Sequence, residues 1–161
     1  MSNAWLRLKI WLAHNKAVWV CGALIVLADR ASKNWALSYL QHKDVNVFAY
    51  FRLHYVENTG MAFGLMQNGN LLLIWIMLAV LAYLAYSWKE IVSAGRLAKW
   101  GAVFIFAGAV GNLYDRIKLG FVVDFLDFRV WPVFNIADSF ITVGGVLLAA
   151  SVFFWHPREE K

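Results

Sequence analysis

The chain has 161 residues, 61% of them hydrophobic, 17% aromatic and only 16% charged, with 15 Lys and Arg against 10 Asp and Glu. That is too apolar and too sparsely charged for an ordinary soluble domain, and its length fits one compact membrane domain spanning 1–161. The excess of basic residues is scattered between apolar runs rather than interleaved with aromatics, which argues against a nucleic-acid partner. The lone Cys21 excludes an internal disulfide or a cysteine metal cluster.

Apolar stretches at 17–28, 71–86, 100–113 and 136–155 predict four transmembrane helices. A hydrocarbon core of about 30 Å needs roughly 20 helical residues, so the first and third runs must continue into polar flanks. The predicted spans are 11–30, 69–87, 97–114 and 136–155, separated by extracytoplasmic loops at 31–68 and 115–135. The N-terminus does not read as a cleaved signal peptide, because further spans follow it. Lys and Arg counts orient the protein only weakly; the Lys89–Lys99 linker and the basic N-terminus favour cytoplasmic placement of both ends.

In chain order, Asp29 and Lys33 are four apart and predict a structural ion pair at the outer end of the first helix. Asp44 to Glu57 alternates, with Val45, Val47, Ala49, Phe51, Leu53 and Tyr55 on one face, and Asn58-Thr59-Gly60-Met61-Ala62-Phe63-Gly64 is a turn before the second span. The third span closes in Gly108-Ala109-Val110-Gly111-Asn112-Leu113-Tyr114-Asp115-Arg116, whose small residues suit close helix packing. Asn112 and Arg116 share a helix face, suited to holding the carbonyls of an extended substrate, while Asp115 reads as a structural partner for a base. Phe121 to Trp131 is a second strand-like run, and the two runs together predict a small sheet resting on helix ends or lipid at the membrane surface. The expected fold is a mainly α membrane protein, four transmembrane helices with this extracytoplasmic β element.

Two acids flank the entry to the last span. Asn135 is a good N-cap and Asp138 falls at N3, where a carboxylate returns a hydrogen bond to the cap and the helix N-terminus poises it as a base. Asp124 sits in an apolar strand-like run, where desolvation and a second carboxylate raise its pKa. Such a pair can share one proton, one acid activating water while the other protonates the carbonyl or the leaving nitrogen. Asp115 and Asp127 compete for the role, and spacing does not choose among them. His14, His42, His54 and His156 are dispersed without metal-ligand spacing, so no metal or other cofactor is expected. Two other readings use the same acids as a proton or cation relay in a transporter or channel subunit, or as caps and ion pairs in a structural subunit.

The ordered set Asp29-Arg30-Ala31-Ser32-Lys33, Asn58-Thr59-Gly60-Met61-Ala62-Phe63, Gly108 through Arg116, Val122-Val123-Asp124-Phe125 and Phe134-Asn135-Ile136-Ala137-Asp138 resembles the lipoprotein signal peptidase family, the bacterial type II signal peptidases. The resemblance covers nearly the whole chain. It implies a cytoplasmic-membrane aspartic endopeptidase that cuts diacylglyceryl-modified prolipoproteins before the lipidated cysteine, with Asp124 and Asp138 matching the catalytic pair. It further implies that Asn58, Gly108, Asn112, Arg116 and Asn135 position substrate, that Asp29, Lys33 and Asp115 are structural, that membrane lipids surround a monomer, that the site lies near the extracytoplasmic face, and that globomycin-type compounds inhibit. The chain departs from the family pattern at Ala107-Gly108, commonly Gly-Gly, and at Gly60-Met61-Ala62-Phe63, commonly Gly-Ala-Ala-Phe.

Overall fold

A computed structural model describes residues 3–60 and 69–153, with side chains from residue 15 onward. Its elements run α1 (Asn3–Tyr39), β1 (Val45–Phe48), β2 (Phe51–Asn58), α2 (Asn70–Tyr86), α3 (Trp88–Ser93), α4 (Arg96–Lys118), β3 (Val122–Asp127) and α5 (Ile136–Phe153). Helix α4 is the hub: its Ala98, Ala102, Ala107, Ala109 and neighbouring glycines are buried against α1, α2, α3 and α5. Small side chains let backbones approach where lipid supplies no hydrophobic drive for helix association. The outer faces stay apolar and exposed, as at Leu24 and Leu27 of α1, Trp75 and Tyr83 of α2, and Val146 and Val152 of α5. Among the described residues α4 and α5 are long and apolar enough to cross a membrane, and α2 is a shorter apolar helix.

Two helices outrun the expected spans. α1 continues from position 30 to Tyr39, making 37 residues or roughly 55 Å, and α4 continues from 114 to Lys118. Hydropathy falls at Asp29 and at Asp115, yet both helices persist because the polar groups there are paired with one another in the interior. Helix α4 ends where Leu119 is followed by Gly120 at φ 85°, a left-handed conformation that glycine adopts without penalty. The six-residue helix α3 lies inside the linker that was read only as basic. Met61 to Gly64 fall outside the described residues.

The sheet is three-stranded and antiparallel in the order β1-β2-β3. The long alternation from Asp44 to Glu57 is not one strand: it folds back at Ala49-Tyr50 into a hairpin, with a register shift between Asn46 and Phe48. The Phe121–Trp131 run likewise keeps strand form only to Asp127, and Arg129 then takes φ 64° in the turn. Val123 and Phe125 face Ala36 and Leu40 at the end of α1, so the sheet sits on a helix end through a small apolar core. Alternation along β3 turns Val122 and Asp124 to the opposite face, toward the start of α5.

Candidate active site

Register brings the first contact. Val56 pairs with Asp124 and Asn58 with Val122, which makes Asn58 the diagonal neighbour of Asp124 across the strand pair. Asn58 Nδ2 donates to Asp124 Oδ2 at 2.8 Å, and Asn135 Nδ2 donates to Asp124 Oδ1 at 2.7 Å. Asp124 is 1% exposed. Burial pushes its carboxyl up to about 7 and the charge of Asp138 adds to the rise, against the opposing effect of the two amide donors.

Asn135 also closes a capping box at the head of α5. Its Oδ1 accepts the Asp138 backbone N–H at 2.9 Å, and Asp138 Oδ2 accepts the Asn135 backbone N–H at 3.3 Å. One residue therefore touches both acids, its side-chain amide on Asp124 and its backbone on Asp138. The other oxygen, Asp138 Oδ1, accepts from Asn112 Nδ2 at 2.7 Å.

The orientation of Asn112 is itself fixed. Its Oδ1 accepts from Lys33 Nζ at 2.7 Å and from Asn135 Nδ2 at 3.2 Å, which leaves the NH2 end to face Asp138. Lys33 is fully buried and lies 2.9 Å from Asp29 Oδ2 and 3.1 Å from Asp115 Oδ2. Arg30 closes the network by pairing with Asp115 Oδ1, and Asp115 Oδ2 accepts the Val123 backbone N–H at 3.3 Å. Two cations thus balance two carboxylates in the interior, the arrangement that makes a buried charge tolerable.

A cleft of about 840 Å³ opens beside this core. Its lining is polar at Asn58, Gly60, Asn112, Arg116, Asp138 and Ser139 and apolar at residues that include Phe128, Trp131, Phe134, Ile141 and Val143. Asp124 lies behind this wall and meets the cleft at Asn58. Arg116, expected to hold substrate carbonyls, holds one of the chain's own: Nη2 donates to Gly60 O at 2.7 Å, while Nη1 donates to Asn70 Oδ1 at 3.3 Å. Asn70 was missed in the sequence, where its one signal is a polar residue opening an apolar helix. Asp127 is drawn away from the acidic pair, bound by Arg52 on the sheet surface, and Asp115 belongs to the ion-pair network.

Gly108 is absent from the cleft wall. A Cβ there would lie 2.5 Å from Ala137 O, and one at Gly111 would collide with the Asp29 carboxylate. These positions let α4 press directly on the first turn of α5 and on α1, so the part of Gly108 in this geometry is close packing rather than contact with the cleft.

A bacterial membrane enzyme solved by the in meso method shares this fold with a TM-score of 0.82, over 91% of this chain and 93% of that one at 24% identity. The chain belongs to the family described as Signal peptidase (SPase) II, which matches residues 21–154. It is 41% identical over 146 residues to the lipoprotein signal peptidase of Syntrophomonas wolfei subsp. wolfei, covering 89% of this chain and 97% of that one. It is 42% identical over 145 residues to that of Clostridioides difficile, covering 85% and 95%. The protein is a membrane peptidase.

Proposed function

We propose that this protein is an aspartic endopeptidase that removes the signal peptide from diacylglyceryl-modified prolipoproteins, cutting before the lipidated cysteine. The observation that carries this reading is Asn135 holding Asp124 and Asp138 together beside a cleft lined by both polar and apolar side chains. The polar lining suits an extended peptide and the apolar lining suits acyl chains arriving from the bilayer.

In the proposed reaction substrate and water displace the Asn58 amide from Asp124 Oδ2. Asp138, held by two N–H donors as an acceptor, takes a proton from the water as its oxygen bonds to the scissile carbonyl carbon. Asp124, pushed up to about 7, supplies the proton to the carbonyl oxygen. Collapse of the tetrahedral adduct breaks the C–N bond: the leaving nitrogen takes the proton from Asp138, and the hydroxyl formed from the carbonyl oxygen returns its proton to Asp124, which leaves a carboxyl product and restores both acids. No acyl-enzyme forms. Asn58, Asn112 and Asn135 orient the acids, Arg116 shapes the substrate wall, and Asp29, Lys33 and Asp115 hold the scaffold.

The same reading sets α1, α2, α4 and α5 across the bacterial cytoplasmic membrane, with both termini cytoplasmic and the sheet and cleft near the outer face. The test is cleavage of a purified diacylglyceryl prolipoprotein by the detergent-solubilised protein beside Asp124→Asn and Asp138→Asn. Processing by the wild type, lost in both folded variants, supports the assignment. Normal cleavage by either variant would remove that acid from the mechanism.

A further inference from the structure

A second apolar trough runs along α1 and α4 from Val26, one turn from Asp29, to Trp19, about 15 Å from Asp29 along α1. Two adjoining clefts of about 260 and 220 Å³ share Trp19, Val103 and Phe106 and run between α1 and α4. The small residues Gly22, Ala23, Ala102 and Ala107 are among their lining, and at one end Trp88 lies tilted against Trp19 at 5.0 Å between centroids. A trough of this kind facing hydrocarbon takes a chain-shaped apolar ligand.

Basic residues stand next to the trough residues Trp19, Trp88, Ala102 and Val103 along their helices. Lys16 stands one turn before Trp19 on α1, Lys89 follows Trp88, and Lys99 stands one turn before Ala102 and Val103 on α4. Lys16 and Lys89 are exposed, Lys99 is half-buried, and none of the three has an ion-pair partner among the described residues. Arg96 adds a fourth cation, and Glu90 is the one carboxylate at this end among the described residues. Tryptophans beside lysines at the end of apolar helices mark headgroup depth, and a juxtamembrane basic cluster recognises anionic lipid.

We propose that this trough binds one anionic glycerophospholipid, with an acyl chain along α1 and α4 and the phosphate on Lys16, Lys89 and Lys99. The site is separate from the cleft beside Asp138 and does not depend on the peptidase reading.

The test is native mass spectrometry of the full chain released from micelles containing equal amounts of dioleoyl phosphatidylglycerol and dioleoyl phosphatidylcholine. The wild type retains one phosphatidylglycerol in preference to phosphatidylcholine by about tenfold or more. Lys16→Gln/Lys89→Gln/Lys99→Gln abolishes the preference, and Ala23→Leu/Ala85→Leu, which fills the trough from its exposed edge, lowers retention of both lipids while leaving the lysines in place. Equal retention of the two lipids by the wild type, or an unchanged preference in the triple lysine variant, overturns the headgroup site. Unchanged retention in the leucine variant overturns the trough. Prolipoprotein cleavage, measured on the same samples, stays near wild type in both variants and reports separately on the peptidase reading.

Discussion

The Asp29 carboxylate on α1 accepts the backbone N–H of Ala137 on α5 at 2.9 Å, across a sequence separation of 108 residues. The first helix therefore caps the last, satisfying an amide that the α5 N-terminus leaves without an intrahelical acceptor. Asn135 caps the next amide, that of Asp138. The acid at position 138 is thus held at a helix terminus fastened from two directions.

Replacing either proposed catalytic acid by its amide separates chemistry from capping. Asn at 138 can still accept at the helix N-terminus, so Asp138→Asn and Asp124→Asn keep the fold while cleavage falls by roughly 10²–10⁴-fold. Single-turnover cleavage beside a thermal unfolding curve in detergent checks this.

The raised pKa of Asp124 fixes the sign of a pH effect. Its folded carboxyl keeps a proton up to about pH 7, whereas the unfolded one loses it near the ordinary value of 3.8. Its contribution to stability therefore declines as pH rises from about 4 to about 7 and then levels off. Asp44, held low first by His54, contributes stability that is lost only as pH falls below its ordinary value, outside this window. Asp124→Asn is expected to flatten the change in Tm between pH 5 and pH 8, and wild-type cleavage declines above about pH 7 as the donor proton is lost. Melting curves and a pH–rate profile measure the two arms.

Lys33→Met leaves Asp29 and Asp115 buried with a partner removed and frees the Asn112 amide to turn. Breaking a buried pair in this way costs about 3–5 kcal/mol, so Tm falls sharply, and in whatever fraction folds kcat falls with Asp138 misoriented. A Lys33→Met variant as stable and active as wild type would show that the network holds neither the fold nor Asp138.

Gly108→Ala pushes a methyl into Ala137 O, which is backbone and cannot rotate away. Overpacking of this kind costs about 1–3 kcal/mol, and the displaced turn carries Asp138. The expected result is a lower Tm together with a lower kcat. Gly145→Ala on α5, with open space around the added carbon, serves as the silent control.

Much of this was legible in the chain itself. The apolar runs marked α2, α4 and α5 because each of these helices carries one long, nearly uninterrupted apolar segment. The spacing of Asn135 and Asp138 marked the capping box because that motif is local. The Asp29–Lys33 pair was legible for the same reason, being one helical turn apart. What the chain hid was every relationship set by distant segments. Alternation from Asp44 to Glu57 did not reveal the reversal at Ala49-Tyr50, because a hairpin and a long strand share the same period. The continuation of α1 and α4 into polar flanks was legible from the shortness of their apolar runs, but how Asp29, Lys33 and Asp115 are accommodated there, by neutralising one another in the interior, was not.

By itself the sequence determined the membrane character, the helical majority and the local cap at α5, since these follow from composition and from neighbours within four residues. Only the tertiary structure decided which acids meet. Asp115 was drawn to Arg30 and Lys33, Asp127 to Arg52, and Asp124 to Asn58 and Asn135. That sorting depends on strand register and on α4 approaching α1 and α5 through Gly111 and Gly108, and a buried carboxylate goes where the fold supplies its donors.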